Sequence, residues 1–264
     1  MNKTNIGKNS LLYNLEHFFD RYKVIFAVVF GIAAFSVPFL GLSRVTLRLL
    51  TMISLYTMLG MGLNVLIGYT GQVSLGHAGF YAIGAYVCAL LQVDAGWSFW
   101  PALLAGGIFS AFVGFLLGLP SMRLSGTYLS IVTLGFGEVV LMILKQWESV
   151  TYGNYGIRNI PKPKLFGFTF DLQNGGFYII ILVLTILTGI FCTLIRNSKT
   201  GRAFLAIKED EFAAIMMGIN TSKYKILAFV ISAFITGIAG GFYSVINNGF
   251  IEPTNFLLTY RCSC

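Results

Sequence analysis

Polar side chains that could contact a solute are concentrated in one glycine-rich stretch of an apolar sequence. Gln72, Ser74 and His77 lie between Gly68 and Gly79, a stretch that contains four glycines. Such breaks suit half-helices whose free amides face a cavity, because irregular backbone at membrane depth is tolerated only inside protein or beside water. A plain turn at the membrane surface is the alternative. For His77, a hydrogen-bonded or interfacial histidine is favoured over a proton relay.

Two more polar residues lie within apolar runs. Glu138 stands between Gly137 and Val139, and a carboxylate at mid-span costs about 2.5–3.5 kcal/mol on insertion scales. We therefore expect Glu138 to face the bundle interior, a watery cavity or a partner helix, either as a structural hydrogen-bond acceptor or as part of a transport route. Asn64 has the same two options, with hydrogen bonding to a neighbouring helix favoured.

The sequence lacks the motifs of common enzyme sites. It has no Gly-x-x-x-x-Gly-Lys-Ser/Thr motif to cradle ATP phosphates, and its two histidines, His17 and His77, belong to no Ser-His-Asp or metal-ligand arrangement. The four cysteines imply no disulfide framework. We therefore expect no catalysis, no metal and no cofactor in this chain.

The segment from Asn197 to Asn220 predicts a short amphipathic helix between two apolar runs. Acidic residues at 209–211 suit a helix start, and Gly218 suits its end. Side chains that are costly to leave in water follow the acidic start, namely Phe212, Ile215, Met216 and Met217. The segment is predicted to dock onto a cytoplasmic partner, with a solvated connector as the alternative.

The composition requires that lipid surround these residues. Of 264 residues, 56% are hydrophobic and 11% are charged, with a mean hydropathy of +0.77. A soluble domain of this size cannot bury so much apolar surface in one core. The net charge of +8 does not indicate nucleic acid, because the basic residues are scattered between apolar stretches.

Seven apolar runs can span, or nearly span, a bilayer core about 30 Å thick. They do not alternate like barrel strands, so the predicted fold class is all-α, a polytopic transmembrane helical bundle. The runs are Val24–Leu42, Leu49–Gly68, Ala78–Val93, Ser98–Leu119, Leu129–Leu144, Phe177–Ile195 and Ile226–Ile246.

Small residues recur at every fourth position in two of these runs, a pattern typical of closely packed membrane helices. They are Gly106, Ser110, Gly114 and Gly118 in the fourth run, and Ala233, Gly237 and Gly241 in the seventh.

Basic residues predict the orientation. With the N-terminus in the cytoplasm, 11 of the 18 Lys and Arg residues fall inside, six of them between Arg196 and Lys225. We therefore expect a cytoplasmic segment at 1–23, a membrane domain at 24–249 with a cytoplasmic loop at 196–225, and a structured external loop from Lys145 to Gly176.

Three segments carry a family resemblance. They are Gly62–Phe80, Leu124–Phe136, and Glu211–Gly218, which is preceded by the Gly201-Arg202-Ala203 sequence. Together they resemble LivM-type permease subunits of the high-affinity branched-chain amino-acid importers, which belong to the ATP-binding-cassette class. The third segment resembles the Glu-Ala-Ala…Gly loop that docks onto the ATP-binding subunits in that class. Three such segments in the family's order are specific.

The resemblance implies a transport subunit in a bacterial inner membrane. Its expected partners are two ATP-binding subunits that hold ATP and Mg, a second permease subunit of the LivH type, and an external amino-acid-binding protein. The implied coupling residues are Gly201, Arg202, Ala203, Glu209, Asp210, Glu211, Ala213, Ala214 and Gly218. The candidate pathway residues are Asn64, Gln72, Ser74, His77, Ser125, Tyr128, Thr133 and Glu138.

The C-terminal residues depart from the family pattern. Residues 250–264 form an atypical tail, and Leu257 to Cys264 are expected to reflect a truncation or a frameshift. Three alternatives to branched-chain amino-acid import therefore stay open. They are a permease for urea, amides or sugars, a secondary transporter or channel without an ATPase, and a non-transporting fragment.

Overall fold

Most of the described residues lie in six long apolar helices. The computed structural model describes residues 43–122, 124, 126–165, 168–169, 175–246 and 249–256. The long helices are α1 (Arg44–Asn64), α2 (His77–Val93), α3 (Phe99–Gly118), α4 (Thr127–Gln146), α6 (Gly176–Asn197) and α9 (Thr221–Ile246). The shorter helices are α5 (Glu148–Thr151), α7 (Lys199–Glu209) and α8 (Glu211–Met216). A π-helical turn, Val65–Tyr69, extends α1.

The all-helical membrane architecture predicted from the sequence is confirmed. Five of the helices in the described ranges are long and apolar enough to cross a bilayer, and α2 is a shorter apolar helix. These six correspond to the second to seventh predicted runs. The first run, Val24–Leu42, and the N-terminal segment 1–23 lie outside the described residues. The strands in the described ranges are the two-residue β1 (Lys164–Leu165) and β2 (Phe168–Thr169), an antiparallel pair.

Helix α9 packs along α1, α2 and α3 at the centre of the bundle. Its contact with α3 uses the predicted small-residue stripes. A Cβ on Gly114 would lie 2.9 Å from the carbonyl oxygen of Phe229, and one on Gly118 would lie 3.2 Å from the Cα of Ile226. The close approach predicted from the small residues is therefore confirmed, because side chains larger than hydrogen would separate the helices at these positions.

Three helices meet at three glycines, Gly84 on α2, Gly106 on α3 and Gly237 on α9. A Cβ added to Gly84 would strike the backbone of Gly237, and one added to Gly106 would lie 2.8 Å from the carbonyl oxygen of Gly84. A Cβ on Gly237 would lie 3.2 Å from the carbonyl oxygen of Gly106. We call this arrangement the three-glycine junction. It brings the three backbones into direct contact.

Helices α4 and α6 lie at the edges of this central group. Helix α6 packs on α1, where Thr185 Oγ1 lies 3.3 Å from the carbonyl oxygen of Ser54. Helix α4 packs on α2, where the rings of Phe136 and Phe80 lie 5.2 Å apart.

The loops gather at two opposite ends of the bundle. One end holds the segment between α4 and α6, predicted to be a structured external loop. There Ile157 and Ile251 exchange backbone hydrogen bonds of 2.9 and 3.0 Å. Tyr152 donates to Asp94 Oδ1 at 2.9 Å, and this hydrogen bond raises the pKa of the Tyr152 hydroxyl. The described part of the segment is thus structured, as predicted, and residues 250–256 of the expected atypical tail pack on it.

The three-glycine junction makes a stability prediction. Gly84→Ala adds one methyl group against the backbone of Gly237, which cannot rotate away as a side chain would. We expect the free energy of unfolding to fall by about 1–3 kcal/mol, the usual range for overpacking. Thermal unfolding in detergent measures the change.

Gly60→Ala is the matched control, because a Cβ at this α1 position has nothing within 4 Å. It carries the same gain in helix propensity, about 1 kcal/mol. Equal melting temperatures for the two variants would contradict a tight junction at Gly84.

Candidate functional site

The loop predicted to dock onto a partner folds as two helices with a sharp break. Helix α7 ends at Glu209, and α8 begins at Glu211. Between them, Asp210 has extended backbone, and its Oδ1 accepts hydrogen bonds from the amides of Phe212 (2.8 Å) and Ala213 (3.1 Å). Asp210 is therefore the N-cap of α8. Gly218, with φ of +78°, follows the helix as predicted.

This two-helix segment is fastened to the bundle by its inner face. Phe204, Ile207 and Ala214 are buried, and the ring of Phe204 lies 6.1 Å from that of Tyr224 on α9. Glu211 forms an ion pair with Lys225, a buried residue of α9. A buried ammonium group requires such a partner, so the start of α8 is tied to the central helix.

The outer face of α8 is apolar and exposed. Phe212 is 79% exposed, Met216 85% and Met217 83%. Fully burying one such side chain stabilises a protein or a complex by about 1.5–3 kcal/mol. The short helix predicted to start at residues 209–211 and to end at Gly218 is therefore confirmed as α8. Ile215 of this helix is also half exposed.

The other implied coupling residues divide between the two faces of the segment. Gly201 and Ala203 are buried, and a Cβ on Gly201 would strike the carbonyl oxygens of Ile195 and Arg196. Arg202, Glu209 and Asp210 are exposed. The buried small residues allow α7 to pack closely, and the charged residues stay accessible.

The glycine-rich stretch enters the bundle as irregular backbone. After Thr70 the chain leaves the helix, and α2 begins at His77 beside Ser232. Ser232 lies about 16 Å along α9 from Thr221, at 1.5 Å per residue. Helix α2 therefore begins at depth within the bundle, with Gln72, Ser74 and His77 all buried. This geometry fits the half-helix interpretation better than a plain surface turn.

His77 is held by hydrogen bonds on both ring nitrogens. Ser232 Oγ donates its only proton to the carbonyl oxygen of Gly62 (2.6 Å), so it accepts from His77 Nε2 (2.7 Å). His77 Nδ1 then accepts from Ser74 Oγ at 3.0 Å. The network assigns the proton of the neutral ring to Nε2 and links α1, α2 and α9.

Two buried polar residues near His77, Thr133 and Gln72, differ in whether their side chains have hydrogen-bond partners. Thr133 on α4 is buried, and its Oγ1 accepts from the amide of Leu75 (3.0 Å) and donates to the carbonyl oxygen of Ser130 (2.9 Å). Gln72 is also buried, but neither atom of its amide group has a hydrogen-bond partner within the described ranges.

The remaining pathway candidates lie apart from this cluster. Asn64, Tyr128 and Glu138 are exposed, with Tyr128 at 73%. Glu138 does not face the interior of the bundle, because the buried side of α4 is the side of Gly137 and Val140. Ser125 lies outside the described residues. The structure thus separates an inner group, Gln72, Ser74, His77 and Thr133, from a surface group.

Sequence reasoning missed three residues of this region, Lys208, Lys225 and Ser232. Each contacts a residue that the patterns singled out, but two of the contacts join residues more than a hundred positions apart. No local spacing signals such contacts. Within the described residues, no group of three His, Cys, Asp or Glu side chains could hold a metal ion.

The histidine network makes a second stability prediction. Ser232→Ala leaves the Nε2 proton of His77 and the carbonyl oxygen of Gly62 without their partner. We expect the free energy of unfolding to fall by about 1–3 kcal/mol, because both groups are buried. Ser130→Ala is the control, since it removes a hydroxyl whose 3.3 Å bond is exposed. Equal thermal stability of the two variants would contradict the network.

Comparison with known proteins gives related permeases. The chain is 39% identical to the high-affinity branched-chain amino acid transport system permease protein LivM of Escherichia coli K12, over 88% of this chain and 59% of the relative. It is 28% identical to LivH of the same organism, over 75% of this chain and 70% of the relative. BraD of Pseudomonas aeruginosa is 29% identical over 76% of this chain and 71% of the relative.

The chain spans about 59% of the length of its LivM relative. No solved structure matches it. A family profile described as branched-chain amino acid transport system / permease component matches residues 45–262. This match covers all the described helices except Arg44, the first residue of α1, so the chain belongs to the family of branched-chain amino acid transport system permease components.

Proposed function

We propose that this chain is a permease subunit of an ATP-driven importer, and that α7 and α8 dock onto a separate ATP-binding subunit. The observation that carries the proposal is the exposed apolar face of α8. Phe212, Met216 and Met217 project from a helix that Asp210 caps and Glu211 ties to the bundle. Exposed aromatic and methionine side chains on a fixed support are typical of interface anchors.

The charge distribution supports a cytoplasmic location for this docking face. Basic residues flank α7 and α8 on the same end of the bundle, among them Arg196, Lys199 and Lys223. Short loops rich in Lys and Arg lie on the cytoplasmic side of membrane proteins. The N-terminus then also lies in the cytoplasm, and in a bacterium the membrane is the inner one.

The proposed cargo is leucine, isoleucine or valine. The relatives LivM, LivH and BraD are all named for branched-chain amino acid transport. By analogy with the LivM and LivH pair, a second permease subunit completes the route, and an external binding protein delivers the solute. ATP and Mg belong to the two ATP-binding subunits, and this chain binds no cofactor.

The proposed mechanism uses the attachment of α8 to α9. Closure of the ATP-binding subunits displaces α7 and α8, and the ion pair between Glu211 and Lys225 passes this movement to α9. Because α9 contacts α2 and α3 backbone to backbone at the three-glycine junction, the central helices shift together. The bundle thereby alternates between outward and inward access.

Glu138 is proposed to line the route. Its carboxylate is exposed midway along α4, where contact with lipid alone would cost about 2.5–3.5 kcal/mol. If the solute route runs between this side of α4 and the second permease subunit, the carboxylate contacts water and the ammonium group of a passing amino acid. Gly135 leaves this side of α4 open, since a Cβ there has nothing within 4 Å.

Removing one anchor tests the docking proposal. Phe212→Ala should weaken binding of the ATP-binding subunits about tenfold or more, the usual loss for a buried aromatic anchor. Co-purification from detergent-solubilised membranes measures it. Tyr155→Ala is a matched control, because Tyr155 is 77% exposed at the opposite end of the bundle. The opposite result would contradict docking at α8. In that result the ATP-binding subunits stay bound to the Phe212→Ala variant but dissociate from the Tyr155→Ala variant, which would place the docking face at the other end of the bundle.

Neutralising the mid-span carboxylate tests the route. Glu138→Gln should lower uptake of labelled leucine about tenfold, a loss of about 1.4 kcal/mol in favourable interaction. The complex should still assemble. Glu148→Gln, in α5 beyond the end of α4, controls for the change in charge. Wild-type uptake by Glu138→Gln, or loss of the second permease subunit from the complex, would rule out the proposed role.

A further inference from the structure

Lys208 reaches from α7 to the end of the first described helix. Its Nζ donates to the carbonyl oxygen of Gly68 at 3.0 Å, a contact between residues 140 positions apart. Gly68 lies in the last turn of the π-helical extension of α1. Carbonyl groups there have no helical partner, and they form the negative end of the helix dipole. A lysine ammonium group is therefore a suitable cap for this helix end.

The backbone beyond this cap passes directly over the Lys208 side chain. Gly71 has φ of +69°, which disfavours other residues. A Cβ at Gly71 would lie 3.2 Å from Cγ of Lys208 and 3.7 Å from its Cβ. Lys208 thus holds the chain at two points, at the Gly68 carbonyl group and beneath Gly71.

The held segment leads into the buried polar cluster. From Gly71 the chain continues to Leu75, whose amide bonds Thr133 on α4, and to His77, which bonds Ser232 on α9. Any movement of the end of α7 that the Lys208 contact transmits therefore reaches two further helices of the bundle. One of them, α4, also carries Glu138.

Gln72 gives this segment a physical reason to adopt a second arrangement. Its side chain is buried, and neither hydrogen-bonding atom of its amide group is paired among the described residues. Buried polar groups without partners raise the free energy of the arrangement that contains them. A shifted segment that pairs this amide is correspondingly favoured, which makes residues 70–76 a suitable two-state element.

We propose that Lys208 is the positioning residue that couples the docking helices to this segment. The Lys208 contact joins the end of α7 and residues 68–71 into one body, so a displacement of α7 carries this segment with it. The proposal rests on the function proposed above and adds a route for the coupling that does not pass through Glu211 and Lys225. Lys208 itself touches neither the solute nor ATP.

The number of leucine molecules imported per ATP hydrolysed tests the proposal, in proteoliposomes that hold the complete complex. Lys208→Met should lower this ratio about tenfold, within the range typical of a coupling contact. Binding of the ATP-binding subunits and their rate of ATP hydrolysis should be unchanged. Lys208→Arg should keep most of the ratio, because a guanidinium group can also cap the helix end. Lys199→Met, the same change at the exposed start of α7, should keep all of it.

A covalent replacement for the contact tests the same idea by a gain of function. A Cβ added to Gly71 would lie 3.7 Å from the Cβ of Lys208, a separation that suits a disulfide bond. The Gly71→Cys/Lys208→Cys variant, with Cys262 and Cys264 changed to serine, should be uncoupled when reduced. Oxidation with copper phenanthroline, which removes the two thiol hydrogens as the disulfide forms, should restore the ratio.

Three outcomes would overturn the proposal. They are a normal ratio in Lys208→Met, loss of the ATP-binding subunits from that variant, and an oxidised double-cysteine variant that stays uncoupled although its disulfide has formed. A wild-type complex that binds no ATP-binding subunit would instead overturn the proposed function, and the inference with it.

Discussion

Direct backbone contact at the three-glycine junction is the constraint on which the rest of the bundle depends. Gly84, Gly106 and Gly237 bring α2, α3 and α9 so close that one added methyl group would meet main-chain atoms. Membrane helices gain little from apolar burial, because lipid is as apolar as leucine, so van der Waals contact at small residues drives their association. About two-thirds of the most apolar stretch of α9 is buried, more than in the four other described helices that are long enough to cross a bilayer.

This rigid centre explains why the polar elements lie where they do. His77 and Ser232 bridge α2 and α9 next to the junction, so their hydrogen bonds join helices that are already close. The irregular backbone before His77 is tolerated because protein surrounds it and Thr133 satisfies the amide of Leu75. The exposed groups, Glu138 on α4 and the apolar face of α8, lie on elements at the edge of the bundle.

The family relationship and the geometry both agree with a membrane subunit that has a packed interior and exposed surfaces on its side and at one end. The described part of the chain has a packed interior, an exposed apolar helix face at one end and a mid-span carboxylate on one side. The named relatives are permease components that include the LivM and LivH pair of one organism. The exposed carboxylate on its side and the exposed apolar helix on its end are the two surfaces on which the proposed assembly with two kinds of partner depends.

The sequence alone determined the class of protein and most of its elements. Runs of apolar residues predicted six of the described helices, because lipid requires about 20 such residues per span. The small-residue stripes predicted tight packing. The acidic residues at 209–211 and Gly218 predicted the start and the end of α8. These patterns are local, so a single amino-acid sequence is enough to recognise them.

Only the tertiary structure decided which of the polar residues act together. It joined His77 to Ser232 and Lys208 to Gly68, and it paired Glu211 with Lys225. It also separated Glu138 from the inner cluster, although both had been grouped as candidates for one route. Helix periodicity states which side of a helix is apolar, but it does not state which helix covers that side. Contacts between residues far apart in the chain depend on how whole helices pack, and the spacing of nearby residues in the sequence does not predict that packing.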